Sequence, residues 1–159
     1  MPIDDDINLK NRREVNMQIK DIMTKNVITI SPDAPLKKVG ETLKEKRISG
    51  LPVVDEKGDI VGVITITDML RFILDNIYQW EVLKKNITDL RLSEMYEQEK
   101  LKAKVCDIMT RKVITLNEED TVEKVMKLMF EKKIHTLPVV KDGKLVGVVG
   151  KRDLSSVVF

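Results

Sequence analysis

The sequence predicts an α/β (α+β) chain built from two pseudo-symmetric β-α-β-β-α repeats with a helical connector between them. Three observations carry that prediction. The chain resembles itself at a nearly constant spacing. Each copy holds one amphipathic stretch followed by two apolar runs around a glycine-containing turn. Each copy then closes on a β-branched run leading into an aspartate. KDIMTKNVITI (residues 20–30) recurs as CDIMTRKVITL (106–116), with Asp21 and Asp107 standing 86 apart. RISGLPVVDEKGDIVGVITITDM (47–69) recurs as KIHTLPVVKDGKLVGVVGKRDL (133–154). Gly62 and Gly147 stand 85 apart, because the turn DEKGD is one residue longer than KDGK. Such ordered self-similarity marks a duplication, here with one indel.

The elements follow in the same order in each copy. Val27–Ile30 and Val113–Leu116 read as short strands, followed by candidate helix caps at Ser31-Pro32 and Asn117-Glu118-Glu119. Leu36, Val39 and Leu43 in the first copy, and Val122, Val125, Met126 and Met129 in the second, recur every three or four residues. That spacing places one apolar face of a helix inward. LPVV then forms a strand, and a second strand (60–64; 145–149) closes a hairpin across the glycine turn. The second strands are almost wholly apolar, which predicts cover on both faces.

The copies differ at their ends. After Asp68 the chain continues through a long helical stretch with stripes at Leu70, Ile73, Leu74, Ile77 and Trp80, then at Leu83, Ile87 and Leu90. After Asp153 only LSSVVF remains, so a neighbour must cover what a longer closing helix would cover. The N-terminal arm, the connector and another subunit are the candidates. These divisions assign 1–18 to an N-terminal arm, 19–80 to repeat one, 81–104 to the connector and 105–159 to repeat two.

Composition narrows the function classes. The 28 basic and 26 acidic residues leave a net charge of +2, without the basic excess of a nucleic-acid or membrane surface. Aromatics make up 4%, too few for a base-stacking platform. The one cysteine, Cys106, excludes an intrachain disulfide, and with the one histidine, His135, it cannot build a zinc site. Cys106 has no neighbouring base that would support a redox role. The start MPIDDDINLK is acidic where a signal peptide would be basic, and no apolar run reaches membrane-span length. The expectation is a soluble cytoplasmic protein. Catalysis needs a nucleophile with its base or a metal cluster; neither pattern is present, so the expectation is not an enzyme.

The junctions GVITITDML (62–70) and GVVGKRDL (147–154) carry the candidate chemistry. Each passes from strand to helix, where unpaired N–H groups and the positive dipole end suit an anion. Paired β-α-β-β-α units with DIMT, LPVV and G-h-h-x-x-x-D resemble a tandem pair of CBS domains, the Bateman module. Such pairs are appended to cystathionine β-synthase, inosine monophosphate dehydrogenase, chloride channels and the γ subunit of AMP-activated kinase. The resemblance covers about residues 19–159. It implies two repeats packed through their sheets by pseudo-two-fold symmetry, two equivalent clefts, a disc-like homodimer and regulation of a partner protein. No cofactor is required; the candidate ligands are AMP, ADP, ATP and S-adenosylmethionine.

The resemblance carries over residue by residue. Asp68 and Asp153 match the aspartate that accepts both ribose hydroxyls; the alternative is a carboxylate acting only on the helix dipole. Phosphate contacts fall on Thr65 and Thr67 in the first copy. In the second they fall on Gly150, Lys151, Arg152 and His135. Gly150 departs from the Ser/Thr of the motif, while Lys151 and Arg152 add cations that the first copy lacks. His135 is either a phosphate contact or simply exposed. Adenine contacts fall on Val27, Ile28 and Thr29, or on Val113, Ile114 and Thr115. Ile22, Met23, Ile108 and Met109 are candidate apolar walls; for the two methionines core packing is the stronger reading. The competing functions are a dimerisation or interaction scaffold with vestigial clefts, and nucleic-acid binding through Lys10–Arg13 or the lysine-rich connector, which so small a charge patch argues against.

Overall fold

The computed structural model describes residues 16–82, 98 and 102–158. The Lys10–Arg13 cluster and the connector stripe Leu83, Ile87 and Leu90 lie outside the described residues, as do the side chains of Ile77 and Trp80. The chain divides into two compact units, one formed by Ile28–Val113 and the other by Met1–Val27 together with Ile114–Phe159.

The Ile28–Val113 unit contains α1 (Leu36–Lys46), β1 (Gly50–Val54), β2 (Ile60–Thr65), α2 (Ile66–Val82) and the single turn α3 (Val105–Ile108). Leu36, Val39 and Leu43 put the inner face of α1 into the core, as their spacing predicts. β1 and β2 form an antiparallel hairpin with Gly50 opposite Thr65 and Val53 opposite Gly62. Ile30 joins β1 by one parallel bridge to Val53. The core gathers Ile30, Leu36, Val39, Leu43, Leu51, Val53 and Ile64 with Val105 and Met109.

The other unit repeats this plan with β3 (Leu116–Asn117), α4 (Val122–Lys132), β4 (Thr136–Lys141), β5 (Lys144–Gly150) and α5 (Lys151–Val158). Its sheet runs β3-β4-β5, with β3 parallel and β5 antiparallel to β4. The core gathers Leu116, Val122, Val125, Met129, Leu137, Val139, Val149 and Leu154 with Ile19.

Each unit therefore takes its leader from the other repeat. Ile19 and Lys20 donate their N–H groups to the carbonyls of Asp120 and Glu118, both at 2.8 Å. Val105 and Cys106 donate to Ala34 and Pro32, both at 2.9 Å, in the matching places of the first repeat. Ile19 and Val105 are fully buried, and burying one such side chain stabilises by about 1.5–3 kcal/mol. Thr24 exchanges both backbone hydrogen bonds with Val148, and Thr110 exchanges both with Val63. The compact units thus cross the boundaries drawn between the repeats on the sequence.

The two invariant-looking features of the copies, the methionine of DIMT and the glycine of the second strand, meet here. A Cβ at Gly62 would lie 2.7 Å from Met109 Sδ, and one at Gly147 would run into Met23 Sδ. Glycine lets the leader lie directly on the strand, which is the cover that the apolar second strands require. Met109 is buried in one core and Met23 packs against the other, which bears out the core reading of both.

Two local expectations are corrected. The early strands shrink to a bridge at Ile30 and to Leu116–Asn117. Val27 and Val113 close tight turns onto Lys25 and Arg111 instead, because this stretch leaves one unit to enter the other and reaches the sheet edge only at its last residue. The helices also begin later than Ser31 and Asn117. Pro35 precedes α1, and the Thr121 hydroxyl caps α4 by accepting from the Lys124 N–H at 3.2 Å. Ser31 and Asn117 stand just before the turns that lead into the helices, where Asn117 donates its N–H to Asp120 and short polar residues compete well with helix.

Candidate functional site

Asp68 and Asp153 both stand in the first turn of the helix that follows the hairpin. In the first repeat, Asp68 Oδ2 accepts from the Thr65 N–H at 2.8 Å and the Thr65 hydroxyl at 3.0 Å. The Thr65 hydroxyl in turn accepts from the Asp68 N–H at 3.3 Å. This is a capping box, with Thr65 as the cap and Asp68 reaching back to it. In the second repeat Asp153 Oδ2 accepts from the Gly150 N–H at 2.7 Å. Gly150 has no hydroxyl to reciprocate, so only half the box is made.

The other oxygen of each aspartate binds a threonine of the opposite leader. Thr110 Oγ1 donates to Asp68 Oδ1 at 3.0 Å, and Thr24 Oγ1 donates to Asp153 Oδ1 at 3.1 Å. These threonines close the two copies of DIMT. The reading of the sequence missed them, although the doubled motif was a signal that could have found them.

The two carboxylates are otherwise unlike. Asp68 is 6% exposed and is the one buried polar or charged residue among those described. Arg71, an exposed side chain one turn on, brings its Nη1 to 3.8 Å from the Asp68 Oδ1, a long i,i+3 pair of small energy. Asp153 is only half-buried, and Lys151 and Arg152 beside it are exposed, with no ion pair among the described residues.

The remaining expected residues are scattered around these clusters. Thr67 and His135 are exposed. The His135 carbonyl lies 3.7 Å from where a Gly150 Cβ would stand, so the backbone before β4 approaches the half-made cap. Val27, Ile28, Val113 and Ile114 are half-buried, while Thr29 and Thr115 are exposed. Ile28 and Ile114 pack against their own cores. A groove of about 350 Å³ opens between α1 and α2, lined by Leu36, Gly40, Met69, Phe72 and Ile73 among others, and a second of about 370 Å³ runs along α4. Neither is lined by Asp68 or Asp153. No helix among the described residues is long and apolar enough to cross a membrane.

Residues 19–75 and 105–159 match the CBS domain family, and the chain belongs to that family. An uncharacterised protein of Methanocaldococcus jannaschii is 35% identical over 150 residues, covering 87% of this chain and 89% of that one. The inosine-5'-monophosphate dehydrogenase of the same organism is 32% identical over 135 residues, 84% of this chain but only 22% of the enzyme. In that relative the matched region is a minor part of a catalytic protein. Among solved structures, the CBS-domain pair of protein MJ0100 in complex with 5'-methylthioadenosine and S-adenosyl-L-methionine superposes with a TM-score of 0.70 at 29% identity, covering 90% of this chain and 100% of the other. CBSX2 in complex with AMP gives 0.66 at 28% identity, covering 89% and 95%.

Proposed function

We propose that this chain is a non-catalytic regulatory module that binds an adenosine-type ligand, AMP, ADP, ATP or S-adenosylmethionine, and signals its presence to a partner protein in the cytoplasm. The observation that carries the reading is the Asp153 cluster on a fold whose relatives hold AMP and S-adenosylmethionine. A half-exposed carboxylate can accept from both ribose hydroxyls. The ribose end is accordingly assigned to Asp153. The phosphate end, or an equivalent anionic group, is assigned to the Gly150 backbone, Lys151, Arg152 and His135. The adenine falls to Val113, Ile114 and Thr115, or to Val27, Ile28 and Thr29.

Calorimetric titration with AMP, ATP and S-adenosylmethionine tests this reading. Binding by at least one of them in the micromolar range, about −8 kcal/mol, is the expected result. No heat from any at millimolar concentration sinks it, and mass spectrometry of small molecules released from the denatured protein then gives the alternative.

Self-association belongs to the same proposal. Ile66, Leu70 and Leu74 repeat every fourth residue along α2 and are 45%, 54% and 64% exposed. A continuous apolar stripe of that kind marks an interaction surface, and a homodimer would cover it with its own copy.

A further inference from the structure

We infer that Met23 is an oxidation site, and that its sulfoxide releases the N-terminal leader from β5. The inference rests on packing and stands apart from the adenosine reading. The sulfur of Met23 lies where even one added carbon at Gly147 would collide with it. The same carbon would stand 2.9 Å from Met23 Cγ and 3.3 Å from its Cβ. Only a strand without a side chain at this point admits the methionine. Next to it, Thr24 exchanges both backbone hydrogen bonds with Val148, and its hydroxyl donates to Asp153 Oδ1 at 3.1 Å. Met23 therefore sits within the short stretch that fastens the leader to β5.

Oxidation alters this contact twice over. A hydroperoxide transfers one oxygen to the thioether: the S–O bond forms, the O–O bond breaks, sulfur gives up two electrons, and the peroxide leaves as water or an alcohol. The side chain gains an atom on a sulfur already pressed against backbone, in packing that tolerates little added volume. It also gains a polar acceptor against the apolar cluster of Ile19, Leu137 and Val149, whose side chains offer no donor. Lifting the leader off β5 relieves both, because water then satisfies the new oxygen.

Exposure selects the site. Met23 is half-buried, within reach of a small oxidant. Its twin Met109, with its sulfur 2.7 Å from where a Gly62 Cβ would stand, is only 8% exposed and belongs to the other core. Met17, Met69 and Met126 are half-buried as well. Among the described methionines, only Met23 joins partial exposure to a sulfur contact closer than an added carbon allows.

The test is graded hydrogen peroxide on the full chain, with peptide mass spectrometry giving the sulfoxide fraction at each methionine. Amide exchange at Thr24 and Val148 and thermal melting are followed on the same samples. Met23 is expected to oxidise at least about tenfold faster than Met109, since exposure governs susceptibility. As its sulfoxide accumulates, exchange at both amides should quicken by about tenfold or more, and the melting temperature should fall by several degrees. Met23→Leu nearly conserves volume without the thioether, and the same dose should leave its exchange and melting unchanged. Met23 staying reduced while Met17, Met69 and Met126 oxidise overturns the inference. So does a Met23 sulfoxide that leaves exchange at Thr24 and Val148 unmoved, or an equal loss of stability in treated Met23→Leu. Where that variant does not fold, the oxidation rates and the exchange in the native chain decide alone.

Discussion

The hydroxyl of Thr110 donates to the buried carboxylate of Asp68 across 3.0 Å, joining residues 42 apart in sequence. The pair Thr24 and Asp153 repeats the bond at 3.1 Å across 129 residues. Each bond ties the leader of one repeat to the helix start of the other, so each helix cap also fastens an exchanged segment.

Replacing the two threonines should separate the two ties. Thr110→Val keeps the side-chain shape but leaves a buried acceptor short of a donor, with an expected loss of about 1–3 kcal/mol. Thr24→Val leaves a half-exposed acceptor that water can satisfy, and the expected loss is under about 1 kcal/mol. Urea denaturation measures both. Equal losses would contradict the different burial of the two aspartates.

The close approach of Met23 to Gly147 predicts an overpacking penalty. A Cβ at position 147 meets Met23 at its Sδ, Cγ and Cβ. Gly147→Ala should therefore destabilise by about 1–3 kcal/mol. Met23→Ala also costs stability on its own, but in the double variant the alanine at 147 should cost much less, a positive coupling in a double-mutant cycle. Strict additivity would show that the glycine is not there to admit the methionine.

Glu118 and Lys141 form the 2.7 Å pair at the edge of the β3-β4-β5 sheet. The hydrogen bond from Lys141 holds the Glu118 carboxyl below its ordinary 4.5, and the bond to Glu118 holds Lys141 above its ordinary 10.5. The Glu118 contribution is present above its unfolded pKa and fades as pH falls through the folded value. The Lys141 contribution is complete below its unfolded pKa and fades as pH rises through the folded value. In Lys141→Met, an NMR titration should show the Glu118 midpoint moving up toward 4.5. An unmoved midpoint would refute the pairing in solution. The effect on stability is that of a surface pair, small and screened by salt.

The exposed stripe on α2 predicts a concentration-dependent dimer. Leu70→Glu and Leu74→Glu place charge at positions 54% and 64% exposed, so each should leave the melting of the isolated fold within about 0.5 kcal/mol. Light scattering on the native chain should give twice the chain mass, and on either variant the mass of one chain. A monomeric native chain, or a dimer unmoved by both substitutions, would remove the stripe as the interface.

Much of the fold was legible because it is local. The spacing of Leu36, Val39 and Leu43 and of Val122, Val125 and Met129 gave both helix faces, and the glycine turns placed both hairpins. The helix starts were misread by a few residues because Ser31 and Asn117 are good turn formers as well as good caps, and only the packed structure chooses between those uses. At the candidate site, the doubled motif identified both aspartates and the change from Thr65 to Gly150. The doubled DIMT also marked Thr24 and Thr110 as a matched pair, but not which aspartate each one reaches, because they come from a different stretch of chain.

The duplication, the apolar faces of the helices, the positions of the hairpin turns and the aspartate after each second strand are all written in the order of the amino acids. These properties are periodic or local, and a backbone with fixed repeats of 3.6 and 2 residues expresses them directly. Which leader covers which strand, which hydroxyl reaches which carboxylate, and that Asp68 is buried with three donors while Asp153 is half-buried with two, came from tertiary packing alone. Those outcomes depend on contacts between residues as far as 129 positions apart, and on burial, which no local spacing records.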